Sequence, residues 1–144
     1  AGMRGWLSGD LEARIRKYEE HGEVRWLGYV PAQTLPVLYS GARMLVYPSL
    51  YEGFGLPVLE AMASGIAVIT SNRASLPEVA GEVGLMVDPE DVDGLREQMR
   101  CLIEDNAAAA RRGALGIERA RQFTWEACAE KTLMVYEKAI KAGK

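Results

Sequence analysis

The stretch "YEGFGLPVLEAMASG", Tyr51 to Gly65, decides the fold of this chain. Two glycines one residue apart, Gly53 and Gly55, lead to Pro57 and then to an apolar run. Pro57 suits the first turn of a helix, where its missing N–H leaves no hydrogen bond unmade. The helix is expected to reach about Ser64, with Gly65 as the residue that stops it. Just upstream, "RMLVYP" (43–48) reads as a strand, and its unbroken apolar character suits burial on both faces. Just downstream, "AVIT" (67–70) reads as a second buried strand. Strand, glycine turn, helix, strand is the unit of a parallel α/β sheet.

Outward from there the pattern continues. "GLMV" (84–87) is expected as a strand stopped by Asp88-Pro89, and "LPEVA" before it as one helical turn ended by Gly81. "VRWL" (24–27) is short and β-rich and is expected as a further strand. The fold class is therefore a partial doubly wound, Rossmann-like parallel sheet of about four strands. A helix through "GDLEARIRKYEEH", capped by Ser8 and ended by Gly22, places Leu11, Ile15 and Tyr18 on one face. Another helix around 33–40 buries Leu35, Leu38 and Tyr39. The tail is helical: Asp91 caps a helix to about Glu104, Asn106 caps one weakened by Gly113 and Gly116, and Thr124 caps the last. In that last helix Trp125, Leu133, Tyr136 and Ile140 are the expected packing residues. No internal repeat or linker interrupts residues 1–144, which read as a single domain.

Composition narrows the function. The net charge is −3 with both signs mixed, which gives no reason to expect nucleic acid as a partner. Cys101 and Cys128 are far apart and read as reduced, helix-packed thiols, which suits a cytoplasmic protein. The single histidine, His21, excludes HExxH and reads as a helix C-terminal residue beside Gly22. No apolar run reaches the length of a membrane span, and no signal peptide is apparent. Membrane association of a full enzyme is left open but not indicated.

Ligands of an open parallel sheet sit beyond the carboxyl ends of its strands, and "EGFG" lies at such an end. Gly53 and Gly55 let the backbone approach a ligand, and the positive end of the following helix favours an anion, most naturally phosphate. Glu52 and Glu60, with seven residues between them, need another task, because carboxylates aimed at a phosphate would be repelled. Sugar hydroxyls suit them, since an ionised carboxylate accepts O–H bonds. Glu60, in the first helical turn, could reach a ribose. The bland alternatives are a surface glutamate steadied by the helix dipole for Glu60 and an exposed loop charge for Glu52. No GxxxxGK[ST] and no GxSxG occurs, and "GFGLPV" supplies only the first two glycines of GxGxxG.

With those residues in hand, "YPSLYEGFGLPVLEAMASGIAVITSNRASLPEVAGEVGLMVDP" resembles the donor-binding half of a retaining glycosyltransferase of the two-domain GT-B fold, in the group 1 family. "VRWLGYVP" before it and "FTWEACAEKTLMVYEKAI" after it are similar to that family's succession. The resemblance implies transfer of a hexose from a nucleoside-diphosphate sugar to an acceptor with retention, in carbohydrate biosynthesis. Overall likeness leans to a mannosyltransferase using GDP-mannose, with UDP and glucose open. It implies that Glu60 binds the donor ribose and that Glu52, as the catalytic-site residue, lies by the transferred sugar. The N–H groups of Phe54, Gly55 and Leu56, with Gly53, would face sugar and diphosphate, and Gly28, Tyr29 and Val30 would border the base. It implies no metal and no cofactor, the nucleotide-sugar being a substrate. On this likeness the first strand, its helix and the acceptor domain are absent, "AGMRGW" is the tail of a second strand, and the isolated chain is inactive. The family's basic pair is also missing, leaving Arg4 and Arg73 as the nearest basic residues. The rival reading is a non-catalytic nucleotide-binding module.

Overall fold

The computed structural model describes residues 9–143. Ser8, Arg4 and the "AGMRGW" segment lie outside the described residues. The chain divides into two compact units, residues 1–35 and 36–144.

In the first unit, α1 spans Gly9–Glu20 and buries none of its residues. Leu11 and Tyr18, expected on a packed face, are exposed. Gly22 takes the left-handed conformation that ends the helix, with φ 72, and the His21 ring Nδ1 lies 2.7 Å from the Lys17 carbonyl. That is the C-terminal histidine the sequence suggested. The "VRWL" strand does not form: residues 24–27 are irregular, and Val24 and Leu27 are exposed. A parallel strand exists only where a neighbour takes its N–H and C=O groups. Here the Trp26 N–H donates to the Glu19 carboxylate at 2.6 Å instead.

The second unit carries a sheet of three strands rather than about four. From the unit boundary onward the elements are α2 (Leu35–Ser40), β1 (Met44–Tyr47), α3 (Leu56–Ala63), β2 (Ala67–Ser71), α4 (Leu76–Ala80), β3 (Leu85–Val87), α5 (Val92–Glu104), α6 (Asn106–Ala120) and α7 (Trp125–Ala142). The strands run parallel in the order β1-β2-β3. Met44 pairs with Ala67 and Ile69 with Leu85. Only central β2 is buried along its whole length; β1, at an edge, is half-buried throughout.

Alternation along the strands serves two apolar layers. Leu45, Tyr47 and Val68 pack with Val58, Ala61 and Met62 of α3 and with Leu76 and Val79 of α4. Met44, Val46, Ala67 and Ile69 pack with Val87 and with Leu102 of α5. Helices therefore cover both faces, as a doubly wound sheet requires. Arg43 sits at the end of α5, where its guanidinium donates to the carbonyls of Leu102 and Ile103 at 2.6–3.0 Å. That is the favourable place for a cation on a helix dipole.

Three helical details differ from the sequence reading. Asp105, one residue before Asn106, caps α6 by accepting from the Ala108 N–H. Gly113 and Gly116 do more than weaken that helix: both are buried, and a Cβ on Gly113 would strike the Gly65 carbonyl while one on Gly116 would meet Met62 Cα at 3.4 Å. These glycines let α6 lie close against α3 and the turn that follows it. Gly113→Ala should therefore destabilise the fold by roughly 1–3 kcal/mol. The check is a lower urea midpoint at unchanged slope. Finally, α7 buries none of its residues. Trp125, Leu133, Tyr136 and Ile140 are exposed at 82%, 58%, 62% and 66%, because no described residue of this unit packs over them. Cys101 and Cys128 stand on helices, as expected, but both are exposed rather than packed.

Candidate donor site

The site is built on the loop between β1 and α3. Gly55 caps α3 with φ 102, a left-handed conformation that a side chain rarely adopts. A Cβ there would lie 2.6 Å from Leu76 Cδ2, so glycine is required twice over. Gly53 meets neither demand; a Cβ on it would find open space within 4 Å. Pro57 stands in the first turn, as read from the sequence. The N–H groups of Phe54, Gly55 and Leu56 have no backbone acceptor among the described residues, and they lie at the positive end of α3.

Hydroxyls that the sequence reading passed over pin this loop. Thr70 donates to the Tyr47 carbonyl at 3.0 Å and Ser71 to the Ser49 carbonyl at 2.6 Å. Ser75 reaches both the Glu52 and Phe54 carbonyls, each at 2.9 Å. Thr70 and Ser71 are fully buried, and a buried hydroxyl must find a partner. The signal was present in the sequence: a strand buried on both faces ends in Thr-Ser, directly beside a glycine loop that lacks a ladder of its own.

Each glutamate is held by a tyrosine. Tyr47, at the end of β1, donates to Glu52 Oε1 at 2.6 Å. Tyr39, on α2, donates to Glu60 Oε2 at 3.2 Å. Glu52 is half-buried, which argues against a free loop charge. Glu60 is exposed and stands in the second turn of α3 rather than the first, because Gly55 starts the helix at Leu56. The dipole effect fades within one turn, so a helix-dipole role explains Glu60 less well than the sequence suggested. The sequence pattern marks neither tyrosine as functional, since each falls within an apolar run.

Burial, then the charge of Glu60 and its hydrogen bond, push the Tyr39 hydroxyl up to about 12. Burial, then the hydrogen bond and charge of Glu52, with a further contribution from Tyr39, push Tyr47 up to about 12. Both therefore remain O–H donors at neutral pH. Because the folded values lie above the ordinary 10.0, the stabilisation is complete below pH 10 and is lost as pH rises through about 12. Difference ultraviolet titration of the wild type against Tyr39→Phe and Tyr47→Phe should isolate phenols that ionise near pH 12. Ionisation at the ordinary phenol value would contradict these pairings.

The structure brings Glu52, Gly53, Phe54, Gly55, Leu56 and Glu60 together in the second unit. Gly28, Tyr29 and Val30 belong to the first; Gly28 turns with φ 61 and Tyr29 is exposed. Arg73 is not available as a free cation. It donates to both carboxylate oxygens of Asp88, at 3.1 and 3.0 Å, and to Glu90 at 3.3 Å. The Glu90 N–H, and after it the Arg73 guanidinium, hold the Asp88 carboxyl below its usual range. Among the described residues, no group of three or more His, Cys, Asp or Glu is gathered as a metal site, and no helix is long and apolar enough to cross a membrane.

The chain belongs to the glycosyl transferases group 1 family, whose model matches residues 5–119. It is 44% identical over 137 residues to an O-antigen chain mannosyltransferase B of Escherichia coli, covering 95% of this chain and 36% of that protein. It is 42% identical over 112 residues to an MMP alpha-(1->4)-mannosyltransferase of Mycolicibacterium hassiacum, covering 75% of this chain and 27% of that protein. Among solved structures, the sucrose-phosphate synthase of Thermosynechococcus elongatus superposes with a TM-score of 0.79 at 35% identity, over 92% of this chain and 34% of the other. These are glycosyltransferases of the GT-B fold, and this chain spans about a third of their length.

Proposed function

We propose that this chain carries the nucleotide-sugar donor site of a retaining hexosyltransferase. The observation that carries the reading is the arrangement of two tyrosine-held carboxylates on either side of unpaired N–H groups at the start of α3. Glu60 accepts from the ribose hydroxyls. The N–H groups of Phe54, Gly55 and Leu56 take the diphosphate, whose charge the helix end favours. Glu52 accepts from hydroxyls of the hexose. Gly28, Tyr29 and Val30 border the base. In the reaction the bond from the anomeric carbon to the diphosphate breaks, its electron pair leaving with the phosphate. A bond from the acceptor oxygen forms on the same face, and the acceptor proton passes to the departing diphosphate.

Mannose on GDP is the donor we favour; the names of two similar proteins, both mannosyltransferases, support the mannose. The acceptor site belongs to a further domain, since the similar proteins are about three times as long. Two free cysteines suit a cytoplasmic setting. No metal or cofactor enters this scheme, and the isolated chain, without an acceptor domain, should not turn over. The test is to incubate the full-length enzyme with GDP- and UDP-hexoses and saccharide acceptors, and to read the anomeric configuration of any product by NMR. Transfer with retention supports the reading. Nucleotide binding without transfer of any hexose would favour a binding module instead.

A further inference from the structure

The carboxylate of Glu52 has two oxygens, and the described residues use only one. Tyr47 donates to Oε1 at 2.6 Å, a length typical of a strong O–H bond to an ionised acceptor, while no described residue donates to Oε2. The donor is itself fixed. Its ring packs against the layer formed by Val58, Met62 and Leu76, and its carbonyl is held by Thr70 at 3.0 Å. On the acceptor side, the Glu52 carbonyl is held by Ser75 at 2.9 Å. Backbone and side chain are thus anchored separately, and the one remaining freedom of the carboxylate is the direction of Oε2.

From this geometry we infer that Tyr47 is a positioning residue: its hydroxyl occupies Glu52 Oε1 and turns Oε2 to the transferred sugar. The inference rests on the proposed role of Glu52. A tyrosine suits the task because a short hydroxyl donor on a rigid ring, set at a strand end, fixes an angle that a flexible cation would not. Its hydroxyl stays protonated through neutral pH, so the bond persists under working conditions.

The variant is Tyr47→Phe, which keeps the packed ring and removes only the hydroxyl. In the full-length enzyme kcat should fall about tenfold with KM for the donor unchanged within about twofold. Introduced into Glu52→Gln, the same change should cost less than about twofold more, because Tyr47 then orients an amide with no charge to present to the sugar. Equal losses in both backgrounds would overturn the inference by assigning Tyr47 a structural role independent of Glu52. So would a Tyr47→Phe enzyme of normal kcat beside an impaired Glu52→Gln. A Glu52→Gln enzyme of normal turnover would instead remove the proposed role of Glu52, and the inference with it. Thermal melts of each variant separate loss of fold from loss of turnover.

Discussion

Glu52→Gln in the full-length enzyme should lower kcat roughly a hundredfold while nucleoside diphosphate still binds within a factor of about two. A retaining transfer develops positive character on the hexose as the bond to phosphate stretches, and an anionic carboxylate beside the ring favours that state over the ground state. Glutamine keeps the shape and one acceptor but removes the charge. It also places an NH2 where Tyr47 or the sugar hydroxyl must donate, and two donors cannot share that contact. The nucleotide, held by other atoms, should not feel the change. Steady-state kinetics with calorimetry of the diphosphate separates the two effects, and a variant of normal kcat would remove Glu52 from the transferred sugar.

Glu60→Ala should produce the opposite division. A carboxylate accepting from two vicinal hydroxyls makes charge-assisted bonds, and their loss weakens nucleotide binding by roughly 1.5–3 kcal/mol, or about ten- to a hundredfold in Kd. Calorimetry of the free diphosphate reads this directly. Stability should change little, because Glu60 is exposed and its partner Tyr39 can turn to water. An unchanged Kd in a folded variant would return Glu60 to an ordinary surface residue.

What the sequence made legible were the features written in local chemistry. Pro57 in the first turn, the stop at Gly65 and the buried run at 67–70 each follow from a few neighbouring residues, and the structure has them. What it did not make legible depended on partners. "VRWL" has a strand's composition, but residues 24–27 are irregular, and the Trp26 N–H turns to Glu19. The apolar positions of α7 have a helix's periodicity, yet periodicity does not say what lies opposite. Within the site, the glutamates and glycines were visible because their spacing is unusual. Tyr39 and Tyr47 were not, since a tyrosine in an apolar run reads as packing until its hydroxyl is given a partner. Ser75 was hidden for a related reason: its hydroxyl reaches residues 21 and 23 positions away.

A crystal structure of the full-length enzyme with its nucleoside diphosphate bound would show whether Glu60 and the start of α3 hold the nucleotide. Both ribose hydroxyls are expected within hydrogen-bond distance of the Glu60 carboxylate, and the diphosphate against the N–H groups of Phe54, Gly55 and Leu56. A nucleotide seated elsewhere, with Glu60 facing only water, would contradict this placement.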